Sequence, residues 1–426
     1  MSALDKLQNG VRQTYFGWWI VAGGIGLQIL GAGLVMQAYG TYVAVWKEEF
    51  GWTATVFALA FALQRGFMAL LSPVQGRLLQ RFGPRLVIRA GLVVLAIGFV
   101  MLSRFETQAG FYLAFLVMAL GVALSGFLSL TVTVVNWFER RRSSALALMQ
   151  IGISVGGLLV PIVAWLLTDF GWRFTALLSA GLVLALGLPL SAVMRGSPEE
   201  LGVPMEGVGA PAAREGADRG DRDSIISRDF RTREALRTRA FWLITAGHAT
   251  AVTLVAAVTV HIVIHLNEGL GYSIQTAATI IALMTGVTML GQLLGGFLGD
   301  RFSKRVVAAL AMLGHAVALL SVAFASNLAM VLFFAVLHGL CWGVRGPIMQ
   351  ALRADYFGRA SFATIMGISF SFVMIGQMLG PLLAGILADA TGGYRLAFML
   401  LALLVGSSSL FFVFAVPPRK PERPRD

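Results

Sequence analysis

Gly76-Arg77-Leu78-Leu79-Gln80-Arg81-Phe82-Gly83 returns 220 residues later as Gly296-Phe297-Leu298-Gly299-Asp300-Arg301-Phe302-Ser303. The match extends outward in both directions at the same offset. Phe50-Gly51-Trp52-Thr53 returns as Leu270-Gly271-Tyr272-Ser273, Arg85 as Arg305, Pro161 as Pro381 and Asp169 as Asp389. These residues flank or punctuate long apolar runs, so each copy reads as a bundle of membrane helices. A membrane protein built from two like-oriented halves binds its cargo between them, near the bilayer midplane. The pattern predicts a transporter.

Composition agrees. The chain is 57% apolar and 13% charged, whereas a soluble domain carries roughly a quarter charged residues. Too little polar surface remains to cover a water-soluble globule of this length. Apolar stretches of about 20 residues, each long enough to cross a hydrocarbon core of about 30 Å, recur twelve times. They fall near 17–41, 54–76, 86–103, 111–136, 143–167, 174–194, 241–266, 274–299, 306–325, 329–352, 360–388 and 395–416. The predicted fold class is an all-α membrane protein of twelve transmembrane helices in two pseudo-symmetric six-helix bundles, with both termini cytoplasmic. Its parts are an N-terminal bundle (1–194), a cytoplasmic linker (195–239), a C-terminal bundle (240–416) and a disordered tail (417–426). The first helix, with no cleavage site after it, is read as a retained anchor in a bacterial inner membrane.

The net charge of +12 raises nucleic acid as a partner, but its distribution argues for topology instead. Under the alternating arrangement, four of the 33 Lys and Arg lie in outer loops: Lys47, Arg104, Arg173 and Arg395. Two more, Arg65 and Arg345, lie within spans, and the remaining 27 fall on the inner side. This positive-inside bias puts both termini in the cytoplasm and the basic groups against anionic lipid. The lone Cys341 rules out an intramolecular disulfide. No nucleophile–base pair, metal cluster or phosphate loop appears, so neither an enzyme nor a cofactor is expected.

Within the linker, Ser227 to Ala240 spaces Phe230, Leu236 and several Arg at helical intervals, reading as an interfacial helix on the inner leaflet; a disordered tether is the alternative. Gly152, Gly156 and Gly157 in the fifth span, and Gly376, Gly380 and Gly385 in the eleventh, let backbones approach closely. They read either as plain packing or as surfaces that slide against the other half. Pro161 and Pro381 are expected to bend both helices alike.

Gly76-x-x-x-Gln80-Arg81-x-Gly83-x-Arg85 and Gly296-x-x-x-Asp300-Arg301-x-x-x-Arg305 resemble the loop signature of the major facilitator superfamily. The likeness covers essentially the whole chain, and implies two six-helix halves that rock about a central cavity. Tyr15-Phe16-Gly17-Trp18-Trp19, Asn136-Trp137-Phe138-Glu139-Arg140-Arg141-Arg142 and Leu236-Arg237-Thr238-Arg239-Ala240-Phe241-Trp242 are similar to the bacterial branch near monocarboxylate transporters and oxalate–formate antiporters. That resemblance implies a small organic anion as substrate, with a coupled proton or counter-anion. The chain departs from it: no Lys in the first span, no Arg or Asp in the eighth and no Lys in the eleventh. In the superfamily the acid of the loop motif faces a helix N-terminus across the interface, where the macrodipole favours an anion. Asp300 is expected there at the fifth helix, near Arg140 to Arg142; Gln80 replaces the acid in the first half and predicts a weaker latch. Gly76, Arg81, Gly83, Arg85, Gly296, Asp300, Arg301 and Arg305 are therefore the expected gate.

A charge inside the membrane costs several kcal/mol and marks function by default. Arg65 and Arg345 have no Asp or Glu near mid-span, and an unpaired guanidinium facing a cavity is a ready fork for a carboxylate. The alternative is structural, with backbone carbonyls as partners. His338 lies seven residues before Arg345, two turns along the same face. His261 and His265 share a face of the seventh span at metal-ligand spacing, but without a third ligand. His248 and His315 read as packing residues. Gln28, Tyr39, Ser125 and Gln292 are the polar groups that could complete a substrate site. The reading is a secondary transporter of a small organic anion, expected to act as a monomer. A polyspecific efflux pump of the same fold, or a non-transporting receptor, are its rivals.

Overall fold

The computed structural model describes residues 15–206 and 229–419. The start of the chain, the middle of the linker and most of the tail lie outside the described residues. A helix satisfies its own backbone, which is why apolar runs in lipid take this form. α1 (Gly17–Phe50) is helical to Gly31, widens to a π-turn over Ala32–Gln37 and resumes at Tyr39. It is followed by α2 (Ala54–Phe82), α3 (Pro84–Leu102) and α4 (Gln108–Trp137, broken at Gly126). Gly171, at φ 79 and ψ 160, divides the stretch Arg142–Ala192 into α5 (142–170) and α6 (172–192). The second half holds α7 (Arg239–Gly269), α8 (Ile274–Arg301), α9 (Lys304–Ala323), α10 (Leu328–Phe357), α11 (Phe362–Thr391) and α12 (Arg395–Phe414). Among the described residues ten segments are long and apolar enough to cross a bilayer, with α5 and α6 inside one of them. No strand appears there beyond a single bridge, Phe138 to Glu206.

Several helix starts are set locally. Thr107, Thr238, Ser273 and Asn327 accept from backbone N–H groups three residues on, satisfying donors that the first turn leaves free. The two loop copies turn differently. Gly83 takes φ 75 with Pro84 opening α3, while Ser303 makes the corresponding turn at φ −60. At the far end of the first half, Trp46, Trp52, Phe57, Phe105, Phe111 and Trp172 interlock edge-on or tilted, tying the Phe50-Gly51-Trp52 corner to α4 and α6.

Within each half α1 packs on α5, α3 on α4 and α6, α8 on α10, α7 on α11, and α9 on α10 and α12. Across the halves α2 packs on α11 and α5 on α8. The Gly-rich faces belong to seams within halves. A Cβ at Gly152 would meet Ile25 of α1, and one at Gly376 or Gly380 would meet Ala249 or Thr253 of α7. Packing accounts for them; the seams between halves use Gly76, Gly296 and Gly367 instead. The two prolines also differ in effect. α5 tightens to a 3-10 turn at Gly157–Leu159 just before Pro161, while α11 runs unbroken through Pro381.

Of the linker's end, Ser227 and Arg228 lie outside the described residues. Only Thr232–Leu236 is helical before α7. Phe230 and Ala235 are buried with Phe241, Phe357 and Ile365, so this segment docks on the second half. Asp229 accepts from Arg359 N (2.8 Å) and Ala360 N (3.1 Å), at the start of α11.

Candidate functional site: a central cavity and its gate

Between the halves lies a cavity of about 280 Å³, walled by α1, α2, α3, α4, α5, α6, α7, α10 and α11. Arg345, Arg65, Gln28 and Ser125 are on its wall, joined by Gln75, Gln150, His248, Trp342, Gln350 and Gln377. No Asp or Glu is among the lining residues. The remainder is apolar, with Met36, Met68, Phe127, Phe370 and Met374 prominent.

Arg345 is 2% exposed, and its Nε and Nη1 have no protein partner. Arg65 is 8% exposed, leaves Nε unpartnered and stacks its Cζ 4.6 Å over the Phe61 ring. Gln28 and Gln150 each present an unbonded Nε2. None of the five ion pairs among the described residues includes either arginine. A guanidinium buried without an anion is costly, because neither water nor a carboxylate offsets its lost hydration. The wall is thus rich in hydrogen-bond donors and lacks negative charge.

Arg353 was expected at the inner boundary, yet it is 1% exposed inside α10. Its Nη1 donates to Met349 O at 2.9 Å, and its Nη2 lies 3.1 Å from His248 Nδ1. A guanidinium only donates, so His248 Nδ1 accepts and its Nε2 carries the proton. His248, expected to be a packing residue, therefore offers the cavity another donor. Gln150 lies 98 residues before His248 and Gln350 lies 102 after it, and no motif links them, so nothing in the sequence joins these groups.

Four candidates stand off the wall. His338 Nδ1 lies 3.2 Å from His315 Nδ1, in the seam between α9 and α10. His261 lies 2.8 Å from Pro381 O through Nε2 and 3.1 Å from Tyr394 Oη through Nδ1, bridging α7 to α11. Tyr39 Oη donates to Phe57 O at 2.7 Å, closing α1 on α2. Gln292 is buried on α8, beside Gly343 of α10. His265 Nε2 lies 3.1 Å from Val322 O of α9.

At the end where the loop motifs sit, side chains of one half bond to the backbone of the other. α5 has no side-chain cap of its own; Asp300 supplies one from the other half. Its carboxylate accepts from Ser143 N (2.8 Å) and Ser144 N (3.1 Å), the geometry in which a helix N-terminus holds an anion. Gly296 makes room, since a Cβ there would sit 2.9 Å from Ser144 Cα. Gln80 makes the opposite latch, donating to Ala360 O (2.8 Å) and accepting from Thr364 Oγ1 (2.7 Å). Gly76 lies against Ala363 and Thr364. Arg81 and Arg301 stack on Phe82 and Phe297. Arg85 and Arg305 open α3 and α9 and enter none of the ion pairs. A further bolt was not legible: Asp355 takes Arg142 Nη1 from across the interface at 2.6 Å, and Lys304 Nζ at 2.7 Å. These contacts join the two halves at this end.

Two halves packed through α2–α11 and α5–α8, with contacts across them at the duplicated motifs, define the architecture. The family model of the Major Facilitator Superfamily matches residues 15–291 and 247–426. The chain belongs to the Major Facilitator Superfamily. It is an integral membrane protein and a secondary transporter, not an enzyme. It is 28% identical to Monocarboxylate transporter 13 of Bos taurus, over 96% of this chain and 92% of that one. It is likewise 28% identical to Monocarboxylate transporter 11 of Homo sapiens, over 97% and 85%. The human organic anion transporter MFSD10 superposes with a TM-score of 0.70 at 17% identity, covering 92% of this carrier and 98% of that chain. The Escherichia coli fucose:proton symporter superposes at 0.69 and 16%, covering 93% and 98%. At those identities the likeness to solved structures is one of fold.

Proposed function

We propose that this carrier moves a small organic anion, with a monocarboxylate as its headgroup, by alternating access. The observation that carries the reading is Arg345: a buried guanidinium with two unpartnered N–H groups, on the wall of a cavity free of carboxylates. A carboxylate would accept a charge-assisted hydrogen bond from such an N–H group. Arg65, Gln28, Gln150, Ser125 and His248 are assigned to the rest of the anion's coordination. The names of the curated relatives support the substrate class. His338, His261, Tyr39 and Gln292 are assigned to the helix seams around the site. In this reading both termini lie in the cytoplasm of a bacterial inner membrane, the end joined at the loop motifs is the closed gate and faces inward, and the carrier is outward-facing. Transport of an anion against the membrane potential then needs a coupled proton or a counter-anion, and a monomer suffices.

The test is a thermal-shift screen of the purified full chain with short mono- and dicarboxylates beside neutral and cationic lipophiles. Ligand at 100 times its Kd stabilises the bound state by about 2.7 kcal/mol. A carboxylate is expected to raise the melt, and Arg345→Gln to abolish that rise. A rise with neutral or cationic lipophiles alone would make Arg345 structural and favour efflux of such compounds.

A further inference from the structure

The central cavity has an apolar neighbour. A crevice of about 790 Å³ runs along the outside of the α2–α11 seam, lined by residues that include Leu63, Gly66, Leu70, Met374 and Met378. Met374 also lines the central cavity. The partition between the two spaces is a small cluster of Ala69, Val373 and Met374, packed against Val252 and Phe370 of the cavity wall. It holds no charged residue. Methionine, with three rotatable bonds and no branching, is the side chain best suited to swing aside.

The α2 backbone has a weak point here. Pro73 lacks an N–H, so the carbonyl of Ala69 loses its partner within the helix. Ser371 of α11 supplies it, with Oγ donating to Ala69 O at 2.5 Å. One hydroxyl thus ties the halves together beside the partition. The crevice's only hydroxyl is spent on this bond, so its lining suits hydrocarbon and nothing polar. Arg65 and Gly66 are adjacent on α2, the first on the cavity and the second on the crevice. A Cβ at Gly66 would have no atom within 4 Å. Consecutive residues of α2 thus line the two spaces.

We propose that this crevice is a side opening for the hydrocarbon tail of an amphipathic carboxylate, whose headgroup sits in the central cavity. The proposal rests on the carboxylate reading of that cavity. It narrows the substrate from short hydrophilic acids to aliphatic carboxylates with tails of several methylenes. Met374 is the partition that the tail displaces, and the mouth of the crevice opens toward the bilayer.

The experiment compares propionate with octanoate binding to the full chain in nanodiscs, with Kd referred to the free aqueous concentration. Each buried methylene improves Kd by about fourfold. Partial burial of the five extra carbons is expected to favour octanoate at least about 30-fold. Gly66→Leu fills the crevice from a position with room for the side chain, and is expected to bring the ratio near one without changing propionate's Kd. Leu63→Trp, at an exposed crevice position, gives a second reading if Gly66→Leu does not fold. A chain-length ratio near one, or one that neither variant changes, overturns the proposal and leaves bilayer lipid as the crevice's occupant. In that case, propionate binding that Arg345→Gln abolishes keeps the anion reading intact. If neither acid binds, both fail.

Discussion

Replacing Asp300 by Asn tests whether the gate is held by charge. In the sealed state the carboxylate accepts two hydrogen bonds from the first turn of α5, from Ser143 N and Ser144 N. Asn keeps one oxygen acceptor, loses the other and loses the charge. A hydrogen bond to a charged group contributes about 1.5–3 kcal/mol, and a carboxylate at a helix N-terminus about 0.3–1 kcal/mol when partly exposed. The bond from Gln80 to Ala360, the Arg142–Asp355 pair and the apolar seam remain, so we take the low end, about 1.5 kcal/mol. That is roughly a tenfold shift toward the state open at the motif end. Spin labels at Arg140 and Ser303, both exposed and on opposite sides of the gate, read the separation of α5 from α8 in a Cys341→Ala background. A tenfold gain in the long-distance population is expected, together with a changed transport rate. An unchanged distance distribution and rate would refute the assignment of Asp300 as the lock.

Three further outcomes follow from the same geometry. Gly76→Val places a Cβ 2.5 Å from Ala363 O and 2.8 Å from Thr364 Cα, backbone that cannot yield cheaply. The sealed state should lose about 1–3 kcal/mol, read as the same opening between labels on α2 and α11. Gly171→Ala meets no neighbour within 4 Å but keeps φ 79 and ψ 160, a region that costs a residue with a side chain about 1–3 kcal/mol; a lower Tm with unchanged ligand shifts checks it. Glu199 is pushed up by burial but pulled further down by hydrogen bonds from Arg359 and Ser197, so its carboxyl lies below its ordinary 4.5. A lowered carboxylate contributes stability that is present above its unfolded value and lost as pH falls through the folded one. The Arg359–Glu199 bridge, 2.6 Å long with both side chains partly exposed, should therefore give up about 0.5 kcal/mol of gate stability below about pH 4.5. Glu199→Gln should flatten that part of the pH dependence, measured as label distance against pH.

The sequence alone determined the fold and which segments carry the duplicated loop motifs. The repeat at an offset of 220 residues, the apolar runs and the basic loops constrain a membrane chain strongly. In lipid the backbone has few ways to satisfy itself, and a duplicated loop must sit at one end of a duplicated bundle. Arg65 and Arg345 stood out for the same reason, since a guanidinium in an apolar run has no local explanation. The tertiary structure decided everything that depends on which face of a helix meets which neighbour. His338 shares a helix with Arg345, yet it turns into the α9 seam to meet His315. His248 carries no motif, yet the fold sets it against Arg353 on the cavity wall. Gln75, Gln150, Gln350 and Gln377 converge from four helices, and no spacing in one dimension records that. Asp355 reads as an ordinary acid near a helix end until Arg142 arrives from the other half. Helical period assigns a residue to a stripe, but the crossing of helices far apart in the chain decides whether that stripe faces lipid, a seam or the cargo.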